Sequence, residues 1–243
     1  MRNLLPIKES VNFFVRVWVN INMDKKSLIK KILLAFEQSS TNIKYNQVYV
    51  YEDGPNDVKQ ITVSFGVTEY GNLKKLIKSY CFKNGKYSEE FTSYIPAIGV
   101  KSLVKDNQFI ALLKESASDP LMQQTQEEAY EEMYINPAYA FCNKNNFKEE
   151  LSKLVVCDSY LQSGSILSLL RNMFSERPPI NGGDEKIWIE SYCKARRNWL
   201  ANHSRTILHN TVYRMDFMLD RIKKGDWSLS QSPFVANGVK ILD

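Results

Sequence analysis

Apolar residues change period along this chain, and each change marks an element. Leu28, Ile29, Ile32, Leu33 and Phe36 recur at helical spacing and form one broad stripe. They predict a helix over about 24–38, with Asp24 as its N-cap. The period then drops to two. QVYVYE (47–52) and KQITVSFG (59–66) alternate, with Ile61, Val63 and Phe65 on one face and Gln60, Thr62 and Ser64 on the other. The intervening EDGPND is dense in turn formers, so the pair reads as a small β-hairpin. From Asn72 the helical period returns, predicting helices over about 72–83, 87–95, 106–115, 120–135, 147–174, 184–201 and 204–224. Asp119-Pro120 and Asp184 start helices by capping or by a fixed φ. SERPPINGG (175–183) is the strongest breaker in the chain. On the last long helix Leu208, Val212, Met215, Leu219 and Ile222 form a clean stripe, and the irregular tail after Gly225 is expected to wrap back onto the body. Ahead of all this, Val11, Phe13, Val15, Val17 and Val19 alternate with Asn12, Arg16 and Asn20 in strand fashion. The fold class is mainly α (α+β): residues 1–22 are an appendage and residues 23–243 one helical domain with a small sheet.

Composition narrows this little. At 243 residues, 44% hydrophobic and 24% charged, the chain is an ordinary globular one, long enough for two lobes sharing a cleft. A net charge of +5, with bases interspersed among acids, does not point to nucleic acid. No apolar run approaches the ~20 residues of a membrane span; the nearest, 151–174, is interrupted by Lys153, Asp158 and Arg171. The N-terminus shows no signal-peptide pattern. Cys81, Cys142, Cys157 and Cys193 have neither CxxC pairing nor histidine neighbours at zinc-like spacing, and read as buried thiols, with a disulfide between two of them left open. His203 and His209 are six apart, unsuited to binding a metal from one helix face, and no cofactor or metal is expected.

The candidate chemistry lies in carboxylates. Glu37 falls on the edge of the first helix's apolar stripe, where a carboxyl is partly withdrawn from water. Asp57 lies in the hairpin turn, with Glu52 and Asp53 competing for the same part, and Thr62 stands five residues on. Two carboxylates are the minimum equipment for cutting a glycosidic bond, one to protonate the leaving oxygen and one to activate water or attack. Asp184 follows Gly-Gly and opens a helix, as a cap does, and Arg214 sits one position off the last stripe, where a half-buried guanidinium needs an acid partner. Tyr45, Tyr49, Tyr51 and Trp188 are candidates for stacking on sugar rings, or else core residues.

These residues resemble the chitosanases of glycoside hydrolase family 46, in the lysozyme-like superfamily. The matching pattern is Glu37-Gln38, Tyr49 eight before Asp57, Thr62 and Gly66. A second block follows: Asp158 with Gly164, GGDE at 182–185, Ala195-Arg196, and Arg214. The match spans roughly residues 25–240 in the right order. It implies a two-lobed helical fold with a small sheet beside the cleft, and hydrolysis of β-1,4 bonds with inversion. Glu37 would be the general acid, Asp57 the general base and Thr62 the holder of the attacking water. Asp184 and Arg214 would form a supporting Asp–Arg network, and Tyr49, Lys59, Asn72 and Glu69 would contact substrate.

The chain departs from that pattern at several points. Lys59 stands where the family has Arg, Gln60 where it commonly has Gly, and the loop after Thr62 is one residue shorter. Asn72 replaces an Asp that pairs with an amino-sugar ammonium, which leaves Glu69 as the nearest substitute acid. Chitosan, a cationic polymer, would need a locally acidic cleft. Peptidoglycan, weakly anionic, suits the net charge, so a muramidase-like cell-wall lysin or antibacterial effector is the alternative reading. A non-catalytic carbohydrate-binding protein is the third. The expected partner is therefore a polysaccharide, chitosan or peptidoglycan, with no nucleic acid and no membrane. The expected protein is a monomer acting outside the cell, although no signal peptide is visible.

Overall fold

The computed structural model describes residues 25–242. The strand expected over 11–20, the cap at Asp24 and the proposed appendage lie outside the described residues. The first described helix, α1, runs over 25–38. Its predicted stripe is buried, and Leu34 and Ala35 are buried with it, so its C-terminal half is enclosed on most sides. Next come β1 (Val48–Tyr51), β2 (Gln60–Val63) and β3 (Val67–Thr68), joined as an antiparallel meander in that order. Tyr49 lies opposite Thr62, and Thr62 opposite Thr68. The second predicted strand is cut short after Val63 by left-handed Ser64 and by Gly66 at φ 101°, which turn the chain into β3. The polar face of β2 is not open to solvent: Gln60, Thr62 and Ser64 are all buried.

Helices α2 (Leu73–Phe82), α3 (Ser88–Tyr94), α4 (Asn107–Ser116) and α5 (Pro120–Tyr130) follow the sequence reading closely. Asp106 and Asp119 cap α4 and α5 with their side chains. Beyond α5 the chain does not stop at 135. A π turn over Glu131–Ile135 leads directly into α6 (Asn136–Asn145), and the Asn136 N–H reaches five residues back to the Glu131 carbonyl. Pro137 has no N–H to give an α-helical bond, and the wider turn accommodates it. The long helix predicted over 147–174 is two: α7 (Glu150–Ser163) ends at Gly164, which is left-handed at φ 70°, and α8 (Ser168–Arg171) follows.

Helix α9 (Glu185–Ala201) packs against α7 and against α10 (Val212–Lys223), and a 3-10 turn over Thr206–Thr211 links α9 to α10. Of the predicted stripe on this last helix, Met215 is fully buried, and Leu208, Val212, Leu219 and Ile222 are partly so. Its deepest positions also include Met218 and two arginines, Arg214 and Arg221. The tail is less irregular than expected. Strands β4 (Phe234–Ala236) and β5 (Val239–Ile241) form a tight hairpin through left-handed Asn237 and Gly238. Asn237 Nδ2 then donates to the carbonyls of Ala35 and Phe36 and to Ser39 Oγ, closing the end of α1. Trp188, one of the stacking candidates, is a core residue, stacked on Tyr192 and packed against Phe147 and Phe174. No helix among the described residues is long and apolar enough to cross a membrane.

Candidate active site

Burial of the α1 stripe brings Glu37 to the boundary between core and surface. Its side chain is 23% exposed and lines a depression of about 490 Å³, shared with Asp53, Thr62, Arg196, Trp199 and Arg205. Gln38 fixes the helix end from below: its Oε1 accepts the Lys44 N–H at 2.8 Å and its Nε2 donates to Ser64 Oγ at 3.5 Å. The Tyr213 hydroxyl donates to the Phe36 carbonyl at 2.7 Å, fastening α10 to the same turn.

Behind Glu37 lies a buried ionic chain. Arg214 Nη1 donates to Glu37 Oε1 at 2.5 Å, while Nε and Nη2 lie 2.7 and 2.6 Å from Asp158 Oδ1. The Arg214 side chain is 3% exposed and that of Asp158 0%. Burial opposes the charge on Arg214, but the carboxylates of Asp158 and Glu37 outweigh it and raise its pKa further above the usual arginine range. The guanidinium also lies over the Phe36 ring, 5.1 Å from its centroid. Arg196, equally buried, spends Nη2 on Gln162 and Ser163 at 3.0 and 3.1 Å and Nη1 on Ser159 Oγ at 3.5 Å, and it contributes to the lining of the depression.

This corrects the expected network. Asp184 does not meet Arg214; its Oδ1 accepts the N–H groups of Lys186 and Ile187, so it is the N-cap of α9. The acid in the network is Asp158, and the signal for it was present in LVVCDSYL: an aspartate within an apolar helical run must find a cation. Glu69 is corrected as well. It is 0% exposed, and its two oxygens accept the backbone N–H groups of Ile61 and Leu103, so it pins the sheet to the 97–106 loop rather than meeting solvent.

Thr62 is brought to Glu37's depression, and its hydroxyl has no protein hydrogen-bond partner. Asp57 lines the adjoining depression, with Lys59, and Tyr51 and Arg205 form walls of both. The Asp57 carboxylate is 71% exposed and lies 3.3 Å from Arg205 Nε. Asp53, the rival acid, faces the same depression as Glu37, with its Oδ1 accepting Gln60 Nε2 at 3.0 Å. Lys59 pairs with Glu52 at 3.5 Å. Tyr49 stacks on Tyr51, centroids 5.5 Å apart, and the Tyr51 side chain forms the nearer wall. Tyr45 donates its hydroxyl to Glu127, away from Glu37. Asn72 starts α2, half-buried, and its side chain bonds Tyr134; it does not line the Glu37 depression.

The depression thus holds Glu37 and Asp53 against Arg196 and Arg205, so it carries no excess of acid. All four cysteines are free, and burial pushes the Cys142 thiol up to about 12. His203 and His209 are joined by the His203 carbonyl at 2.9 Å from His209 Nε2. Among the described residues no group of three or more His, Cys, Asp or Glu is placed to hold a metal.

Comparison with known proteins adds a lineage. The model of glycosyl hydrolase family 46 matches residues 31–233. A chitosanase of Bacillus subtilis (strain 168) is 23% identical over 232 residues, covering 86% of this chain and 81% of that protein. A family 46 chitosanase of Gynuella sunshinyii, solved with chitotetraose, superposes with a TM-score of 0.75 at 18% identity, over 90% of this chain and 96% of that one. A mutant chitosanase of Bacillus subtilis MY002, in complex with 6 GlcN, gives a TM-score of 0.76 at 20% identity, over 91% and 98%. At such identities the structural matches speak for the fold, which is mostly helical with a small sheet, as the periodicity predicts.

Proposed function

Because the chain belongs to glycosyl hydrolase family 46, we propose that it is an endo-glycosidase cutting the β-1,4 bonds of an amino-sugar polysaccharide of the chitosan type, with inversion. The observation that carries the chemistry is Glu37 in the wall of a depression, backed by the buried Arg214–Asp158 pair and sharing that depression with Thr62, whose hydroxyl has no protein partner. In this reading Glu37 protonates the leaving oxygen. The carboxylate it becomes is received by Arg214 Nη1, already within hydrogen-bond distance. Asp57 removes a proton from water on the other face of the sugar, and Thr62 holds that water in line. Asp53 is the rival base because it shares Glu37's depression.

The glucosamine oligomers in the solved relatives support chitosan over peptidoglycan, and the muramidase reading is not favoured. A polymeric substrate is met outside the cell, so an extracellular site of action belongs to the proposal. The test is to incubate the protein with soluble chitosan and with purified peptidoglycan side by side, following the first products by NMR. Chitosan is expected to be cut, and the new ends to appear with the anomeric configuration opposite to that of the bond broken. Cleavage of peptidoglycan alone would overturn the substrate assignment, and net retention would overturn the water-activating base.

A further inference from the structure

The loop that presents Asp57 has little of its own to hold it. Pro55, Asn56 and Asp57 bury no side chain, and Asn56 and Asp57 are both left-handed, at φ 56° and 59°. That region is unfavourable for residues other than glycine, least so for Asn and Asp. Backbone bonds close the turn on itself, from Gly54 to Val58 and from Asp57 to Gly54 at 3.0 Å each, but none reaches the rest of the protein. Lys59, two residues on, is engaged by Glu52 rather than Asp57.

Within the hairpin Gln60 Nε2 holds the Asp53 carboxylate at 3.0 Å. The grip on Asp57 from outside the hairpin comes from Arg205, about 150 residues downstream in the link between α9 and α10. Its Nε lies 3.3 Å from Asp57 Oδ1, and its Nη2 donates to the Glu52 carbonyl at 3.4 Å. One guanidinium therefore holds both flanks of the 52–57 loop. Arg205 is itself braced: its backbone N–H donates to His203 Nδ1 at 3.0 Å, and the His203 ring meets Trp199 edge-on at 4.7 Å. Among the described residues no other ion pair reaches the Asp57 carboxylate. An exposed pair of this kind contributes little to stability. Its effect is on where the carboxylate stands.

We propose that Arg205 is a positioning residue for the reaction, stapling the Asp57 loop to the wall shared by the two depressions so that the base is held beside the site. This rests on the reading of Asp57 as base, and the experiment separates the two. Asp57→Asn, Asp53→Asn, Arg205→Met and Arg205→Lys are assayed on chitosan for kcat and KM, with unfolding midpoints measured alongside. Asp57→Asn is expected to be inactive and Asp53→Asn active. Arg205→Met is expected to lose roughly 10- to 100-fold in kcat, the scale of a misplaced catalytic group. Its KM and unfolding midpoint stay near wild type, and Arg205→Lys recovers part of the loss. An active Asp57→Asn would overturn the base assignment, and the staple with it. An inactive Asp57→Asn beside an Arg205→Met of wild-type kcat would overturn the staple alone. So would a loss confined to KM, which makes Arg205 a substrate contact, a fall in the midpoint that tracks the fall in kcat, or a lysine variant no better than methionine.

Discussion

Glu37→Gln is expected to lower chitosan hydrolysis by roughly 10²–10⁴-fold, the usual contribution of a positioned proton donor. The amide keeps the shape of the side chain, and its oxygen still accepts from Arg214 Nη1, so the fold and polymer binding are expected to survive. What is lost is the proton for the leaving oxygen. The check is kcat/KM on chitosan together with the unfolding midpoint of the same preparation. Turnover within about tenfold of wild type would remove Glu37 from the acid role.

The second large effect is on stability. Arg214→Met removes the cation between two acids, one of them wholly buried. Glu37 retains some contact with water, but Asp158 does not, and an orphaned buried carboxylate is expensive. Breaking such a pair from one side costs about 3–5 kcal/mol. For a chain of this length that corresponds to a fall in the melting midpoint of roughly 6–20 °C. Removing both charges is expected to cost less than removing one, so Arg214→Met with Asp158→Asn should melt above Arg214→Met alone. Urea or thermal unfolding of the wild type and the two variants measures this. A single variant as stable as wild type would mean that Asp158 does not depend on Arg214.

Much of this molecule was legible from spacing. The α1 stripe gave the helix and put Glu37 on its edge because burial of a periodic face fixes where the remaining residues point. The hairpin, its turn and most helix starts followed from alternation and capping residues. What stayed hidden required information from distant residues. Whether Asp184 or Asp158 meets Arg214 depends on how α7, α9 and α10 pack, and a residue suited to capping looks equally suited to pairing until then. Glu69 reads as a loop acid, yet two backbone N–H groups from separate segments bury it. The passage from α5 to α6 was obscured because proline normally ends a helix, and a π turn here absorbs it. The C-terminal hairpin, by contrast, left a usable signal in Asn237-Gly238 between apolar residues.

That hairpin also ties the timing of synthesis to the state of the site. The turn that carries Glu37 receives its closing hydrogen bonds from Asn237, 201 residues downstream of Phe36. A ribosome adding 5–20 residues per second leaves α1 waiting roughly 10–40 s for that partner. The Ala35 carbonyl has the local Ser39 N–H from the start, but the Phe36 carbonyl must wait for Tyr213 and then Asn237, and Arg214 arrives late as well. Completion of that turn is therefore a long-range event, set by the arrival of the β4–β5 hairpin rather than by α1 itself. A chain released before Asn237 would carry Glu37, the Asp57 loop and the three-stranded sheet, and would still be without the bonds that Asn237 gives to the end of α1.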